Sequence, residues 1–256
     1  MTDLWLSRAR LRRGAPVATL APVLLPDRDD DRVSNGHRLM WSLFACDGDQ
    51  RPRDFLWRED ASGWFYTLSK RPPPDDHALL EVDAPMRFAP SLRPGDRLRF
   101  SLRANPTVSR PLDGFRTHRR DPTLKPSHKT AHHDIVMHAI HALPDHARAE
   151  ARRAAIQTAG RLWLEGQGAR CGFTLPPAPD PSSANSAPDA LRVDGYRVLR
   201  PPRPRKAGQM RIGVLDFDGV LTVTDPQMFL VALAAGFGRA KAYGCGLMLI
   251  ARVTSA

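Results

Sequence analysis

The chain has 256 residues and carries 38 Lys plus Arg against 27 Asp plus Glu, a net charge of +11. That length admits one large domain or two small ones with cores of ordinary size, and the excess of cations biases partners toward polyanions, nucleic acid first. Cys46, Cys171 and Cys245 are too scattered for a disulfide framework or a C-x-x-C metal pair; arginines stand where a secretion signal would need its apolar run, and no stretch nears the ~18 apolar residues of a membrane span, so the expectation is a cytoplasmic protein with no membrane partner.

From Leu4 to Arg12 apolar and polar residues alternate, Leu4 and Leu6 against Trp5, Ser7, Arg8 and Arg10, which predicts a strand with a basic face. A Pro- and Asp-rich connection follows. In Ser34–Ala45 (SNGHRLMWSLFA) Ser34 is placed to cap a helix, and Leu39, Met40, Leu43 and Phe44 recur at helical spacing. Strands are predicted around Phe55–Arg58, Trp64–Ser69 and Ala78–Val82, then Arg97–Leu102 after the turn Arg93-Pro94-Gly95-Asp96. One helix followed by several strands predicts a small α+β unit.

The middle reads as helical and basic, with Asp134–Leu143 and Asp145–Gly166 carrying Ile135, Val136, Ile140, Ile156, Leu162 and Trp163 at three- and four-residue spacing. Pro176–Pro188 reads as a linker or loop. The remainder runs strand (Arg192–Leu199), basic turn (Pro201–Ala207), strand (Met210–Val223), helix (Asp225–Ala235), Gly-rich loop and strand (Leu247–Arg252). The order of elements repeats the α+β plan of the first half, although no sequence repeat accompanies it.

The stretch VLDFDGVLTVTDP, residues 214–226, has the look of a haloacid-dehalogenase phosphatase, with Asp216 and Asp218 in alternate positions after an apolar run. That fold needs its Asp pair at the end of the first strand of a doubly wound sheet, and only about 38 residues follow Asp218, too few for the remaining strands and crossovers. The plainer reading places both aspartates on one face of a sheet strand.

Downstream, Gly236, Gly238, Gly244 and Gly246 form a loop with Arg239 and Lys241 nearby. Its backbone N–H groups and cations suit phosphate oxygens, and it serves equally as a tight helix-to-strand turn. Histidines and acids in residues 124–146 invite a metal reading, His128 and His132 being four apart and Asp134 and His138 likewise, but no matching ligand set completes a zinc site. A basic helix face along A-form RNA accounts for Lys125, His128, Lys129, Arg148, Arg152 and Arg153, as does a plain solvated face.

Three blocks, GVLTVTDP with GFGRAKAYGCGLMLI near the C-terminus, RLRFSLRANPT at 97–107 and NGHRLMWSLF at 35–44, strongly resemble the CasE family, the repeat-processing endoribonucleases of type I-E CRISPR systems. The resemblance implies an α+β fold of two tandem ferredoxin-like (RNA-recognition-motif-like) domains, divided here at 1–122 and 123–256. It further implies cleavage of the CRISPR precursor in its repeat stem-loop without metal or cofactor, leaving a 2′,3′-cyclic phosphate and a 5′-OH. The product then stays bound among the other subunits of Cascade. By the same likeness His37, in the first helix, is the general acid or base, a role its pKa suits. Arg38, Arg103, Lys129, Arg239, Lys241, Gly238, Gly244 and Gly246 are the expected RNA contacts, with Arg103 a turn brace as readily as a contact. The family often places a Tyr three residues before that His; here the position is Ser34, too weak an acid and too short to replace it. Either His37 works largely alone with cationic help or Lys129, Lys241 or Tyr243 fills the gap, and a non-catalytic stem-loop-binding subunit is the alternative.

Overall fold

A computed structural model of the chain describes residues 3–44, 53–111, 130–141, 143–178, 190–202 and 210–253. The first unit comprises β1 (Trp5–Leu11), α1 (Ala15–Leu24), α2 (Asp29–Phe44), β2 (Phe55–Glu59), β3 (Phe65–Ser69), β4 (Leu80–Val82) and the short β5 (Met86–Arg87). Its sheet runs β2-β3-β1-β4 with antiparallel neighbours, β5 also pairing with β1. That is the strand order of a ferredoxin-like sheet, with residues 70–79 passing as a loop where the motif has its second helix.

The second unit contains β6 (Arg97–Ala104), α4 (Asp145–Cys171), β10 (Leu191–Leu199), β11 (Ile212–Val223), α5 (Pro226–Ala235) and β12 (Met248–Arg252), in the sheet order β10-β11-β6-β12. Here the βαββαβ motif is complete. Between β6 and α4 stand a two-stranded ribbon, β7 (Thr107–Pro111) with β8 (Thr130–Asp134), and the short α3 (Ile135–Ile140), while β9 (Phe173–Thr174) pairs with the end of β11.

The expected division after residue 122 is not where the sheets divide. Arg97–Ala104, counted with the first unit by sequence, pairs along eight residues with β11 and along five with β12, at the middle of the second sheet. Strand pairing across more than 100 residues of chain leaves no local signature, so proximity to the preceding strands was misleading.

Each core follows from alternation on strands and periodicity on helices. In the first unit Leu39, Met40, Leu43 and Phe44 of α2 pack on Ala9, Phe55, Trp57 and Phe65. In the second, Leu98, Phe100 and Leu102 of β6 and Leu215, Phe217 and Leu221 of β11 meet Leu164 of α4 and Phe229 and Leu233 of α5. Leu56 and Leu68 on the other face of the first sheet join Leu247 just before β12, so a third apolar cluster links the units.

β1 turns out to be two-sided in a different way from the expected one. Ser7 and Ala9 point to the α2 side, while Leu6 packs toward Leu56, Leu68 and Leu247 and the Arg8 and Arg10 guanidiniums lie 4.5 Å from the Trp64 ring centroid. Two local readings are also revised. The Pro- and Asp-rich connection contains α1, with proline in its first turn, where a missing N–H costs nothing, and the start of α2. Asp29, Asp30 and Asp31 occupy the first turn of α2 and complement its dipole, so the helix begins five residues before Ser34. Ser34 is therefore no cap; its hydroxyl donates to the Asp30 carbonyl one turn back. Residues 130–134, expected at the margin of a helical region, are strand β8, and the helix proper starts after Asp134, whose carboxylate accepts from the N–H groups of Val136 and Met137.

Candidate active site

His37 lies on α2, one turn after Ser34, on the side facing the loop between α5 and β12. Its ring centroid is 6.0 Å from Trp41 on its own helix and 6.3 Å from Tyr243, which belongs to the 3-10 turn Lys241–Tyr243 of the second unit. Nδ1 is buried with no hydrogen-bond partner. Proton exchange with anything outside the fold therefore runs through Nε2. With Nε2 as acceptor the neutral ring carries its proton on the partnerless Nδ1, and protonation adds a full charge to that half-buried ring, a costly step. Burial first, then the nearby charges of Arg53 and Arg38, accordingly lower the pKa of His37 below the ordinary histidine value. The ring is neutral at neutral pH and able to accept a proton.

The turn bearing Tyr243 is held against α2 by Trp57 of β2. The indole N–H donates to the Ala242 carbonyl at 3.3 Å. A Cβ on Gly36 of α2 would come 2.9 Å from the Trp57 ring, and one on Gly244 of the loop 3.2 Å from it. Trp57 thus makes close contact with both elements that bear the candidate residues, and a side chain on either glycine would push it out. Gly244 also has φ 74° and Gly246 φ 95°, backbone that L-residues rarely adopt, while Gly246 would place its Cβ 2.8 Å from the Phe237 carbonyl. Gly238 has φ 71° and sits against Trp163 and the Asn105 carbonyl. At these glycines the protein's own packing and backbone supply a local reason for the residue type. Ala240, just before the turn, is the one non-glycine residue with positive φ among the described residues, at 54°.

Lys241 and Arg53 are both half-buried and line one cleft of about 780 Å³ between the units, together with Phe55 and Leu56 of β2 and Leu230 and Ala234 of α5. Burial and then the charge of Arg53 lower the Lys241 pKa, and burial lowers that of Arg53. Arg53 and Trp57 escaped the sequence reading. A lone arginine before a strand in QRPRDF carries no pattern, and Trp57 reads as an ordinary core aromatic.

The remaining expected contacts are dispersed. Arg38 is exposed on α2 beside His37. Arg103 faces Asp216 directly across β6 and β11, and its guanidinium donates to both carboxylate oxygens at 2.7 and 3.1 Å and to the Glu59 carbonyl of the first unit at 3.3 Å. The brace reading of Arg103 has this geometry behind it, and Asp216, the first of the apparent phosphatase aspartates, is its partner. Arg239 approaches His132 Nε2 at 3.0 Å, and its backbone N–H donates to the Asn105 carbonyl. His132 also meets the Ser109 hydroxyl, Asp134 accepts a hydrogen bond from the Tyr196 hydroxyl, and His138 is bonded by Arg110. Arg152 and Arg153 are exposed on α4, whereas Arg148 is tied to the carbonyls of His141 and Leu143. Lys125, His128 and Lys129 lie outside the described residues.

Comparison with known proteins gives one direction. The chain is 26% identical over 217 residues to the CRISPR-associated endoribonuclease Cse3 of Thermus thermophilus, a match covering 84% of this chain and 80% of the relative. Its fold matches that of Cse3 bound to a 19-nucleotide RNA, with a TM-score of 0.61, 22% identity and coverage of 98% and 99% of the two chains. It also matches the CRISPR-associated protein Cas6e of Escherichia coli K-12, with a TM-score of 0.55, 20% identity and coverage of 97% and 100%. The family described as CRISPR associated protein matches residues 4–252, nearly the whole of both ferredoxin-like units, and the chain belongs to that family.

Proposed function

We propose that this protein is a metal-independent, site-specific endoribonuclease that cleaves CRISPR precursor RNA in the repeat stem-loop and stays bound to the mature guide within Cascade. The observation that carries the reading is His37: a neutral, half-buried imidazole, open only at Nε2, at the junction of two ferredoxin-like units and next to cations drawn from both. The relatives support it, being an endoribonuclease by name and an RNA complex by structure.

The arrangement fits transesterification within the RNA. Nε2 accepts the proton of a ribose 2′-OH, the 2′-oxygen bonds to the adjacent phosphorus, and the bond from phosphorus to the 5′-oxygen breaks. The 5′-oxygen takes a proton from solvent, and a 2′,3′-cyclic phosphate remains. His37 supplies the proton acceptor and the surrounding cations supply charge compensation, while solvent protonates the leaving oxygen. RNA contacts are assigned to Arg38, Arg239, Lys241 and Lys129, with the backbone of Gly238 and Gly244; the expected contact at Gly246 is corrected, since this buried residue donates its N–H to the Arg103 carbonyl and accepts from the Phe237 N–H. Among the described residues no helix is long and apolar enough to cross a membrane. The site of action we assign is the cytoplasm, where the precursor transcript is made.

Labelled repeat RNA incubated with the protein in EDTA tests the reading. Cutting at one position with a cyclic phosphate end is the expected result. Tight binding without cutting would overturn it in favour of a non-catalytic stem-loop-binding subunit, the reading that Ser34, tied to the Asp30 carbonyl in place of a tyrosine, favours.

A further inference from the structure

The cleft between the units, lined by Arg53, Lys70, Arg87 and Lys241 but not by His37 itself, holds an unbalanced set of charges. Two carboxylates line it, Asp3 and Asp54, and both are already engaged, Asp3 with Arg87 and Asp54 with Arg71. Arg53 and Lys241 line the same cleft and, among the described residues, make no hydrogen bond or ion pair with any side chain or carbonyl. They reach it from different units, Arg53 from the segment entering β2 and Lys241 from the turn that Trp57 pins by its bond to Ala242. Half-buried cations without a counter-ion cost free energy in the free protein, and that cost is recovered when an anion arrives.

We propose that Arg53 and Lys241 clasp the scissile phosphodiester from opposite units. This rests on the endoribonuclease reading and adds to it a residue outside the resemblance and a location for the reacting phosphate. As the 2′-oxygen attacks, a second negative charge develops on the phosphoryl oxygens, and two cations already in place need no reorganisation to meet it. Arg53 is suited to two oxygens at once through its planar fork, Lys241 to one as a point charge.

The groups facing His37 separate the contributions. Arg38 lies on its own helix, Tyr243 and Lys241 on the turn, and Arg53 on the segment before β2; of these, Arg53 and then Arg38 lower its pKa, after burial. Loss of the Arg53 charge therefore raises the pKa of His37, which reports that Arg53 lies close to the ring.

The test compares Arg53→Gln, Arg53→Lys and Lys241→Gln with the parent. Single-turnover cutting at saturating protein should fall about 100-fold in Arg53→Gln, by the loss typical of one transition-state donor, and recover in part in Arg53→Lys. A 2′-deoxy substituted repeat should bind each variant within a few-fold of the parent. NMR titration of the His37 ring in the free protein should show a higher pKa in Arg53→Gln than in the parent or in Lys241→Gln. Full cutting at saturation by Arg53→Gln would overturn the proposal and leave Arg53 as a general backbone contact. If the parent does not cut, the endoribonuclease reading falls by itself, while the slope of log affinity against log salt for the 2′-deoxy repeat, expected to drop by about one in Arg53→Gln and in Lys241→Gln, still decides whether the two cations hold a phosphate. Arg53→Lys, which keeps the charge, separates loss of fold from loss of function.

Discussion

Arg103 and Asp216 face each other across β6 and β11 with two hydrogen bonds between them, whereas Arg53 and Lys241 line one cleft with both of its carboxylates bonded elsewhere. Both pairs stand where the two units meet, since Arg103 also reaches the Glu59 carbonyl at the end of β2. The difference shows how a chain with a net charge of +11 uses its arginines and lysines. Where a cation holds the fold, an acid is placed opposite it in register. Where it is left uncompensated next to a proton-accepting imidazole, it is available to a polyanion.

Removing the imidazole should give the largest effect. His37→Ala is expected to slow single-turnover cutting by about 1,000-fold, within the usual worth of a general base, while repeat affinity stays within a few-fold. Equal cutting by variant and parent would take His37 out of the mechanism. On the other side of the comparison, Arg103→Ala should leave the Asp216 carboxylate partly buried and unpaired. We expect a loss of about 2–4 kcal/mol in urea unfolding, and Arg103→Met combined with Asp216→Leu should recover much of it. An Arg103→Ala protein of parental stability would show that the pair is not a brace.

Between the two lies the turn that joins them. Gly244→Ala places a side chain against the Trp57 ring at a positive φ and should cost about 1–2 kcal/mol, with a parallel drop in cutting because Tyr243 and Lys241 move with the turn. The pH dependence sharpens the same contrast. A lowered His37 pKa keeps the ring neutral further into acid, so cutting at subsaturating RNA, which reports the free protein, should fall only below pH 6.5, the ordinary histidine value. An acidic limb at or above that value would mean that burial and Arg53 do not govern the ring. The smallest expected change is in salt dependence. Lys241→Ala should reduce the slope of log affinity against log salt by about one, with an unchanged circular dichroism spectrum. An unchanged slope would make the loop a plain structural turn.

Several elements were legible because their signal is local. β11 and α5 read correctly within two residues, as an apolar run and then a helix from Asp225; the structure adds that the Asp225 carboxylate caps the helix by accepting from the Met228 N–H. His37 stood out only through the family resemblance, for a single histidine on a helix has no pattern of its own. The Asp-rich start of α2 was missed because acids are common in loops as well as in first helical turns.

By itself the sequence determined which segments alternate and which are periodic, the cationic excess, and the motif blocks that carry the family resemblance. These depend on neighbours a few residues apart. The placement of Arg97–Ala104 in the second sheet, the pairing of Arg103 with Asp216, and the gathering of His37, Arg53, Lys241 and Tyr243 depended on the tertiary structure. Each joins residues distant in the chain, and the contacts that bring them together, strand register on β11 and the closeness of Gly36 and Gly244 to one indole ring, exist only after the two sheets have formed and packed.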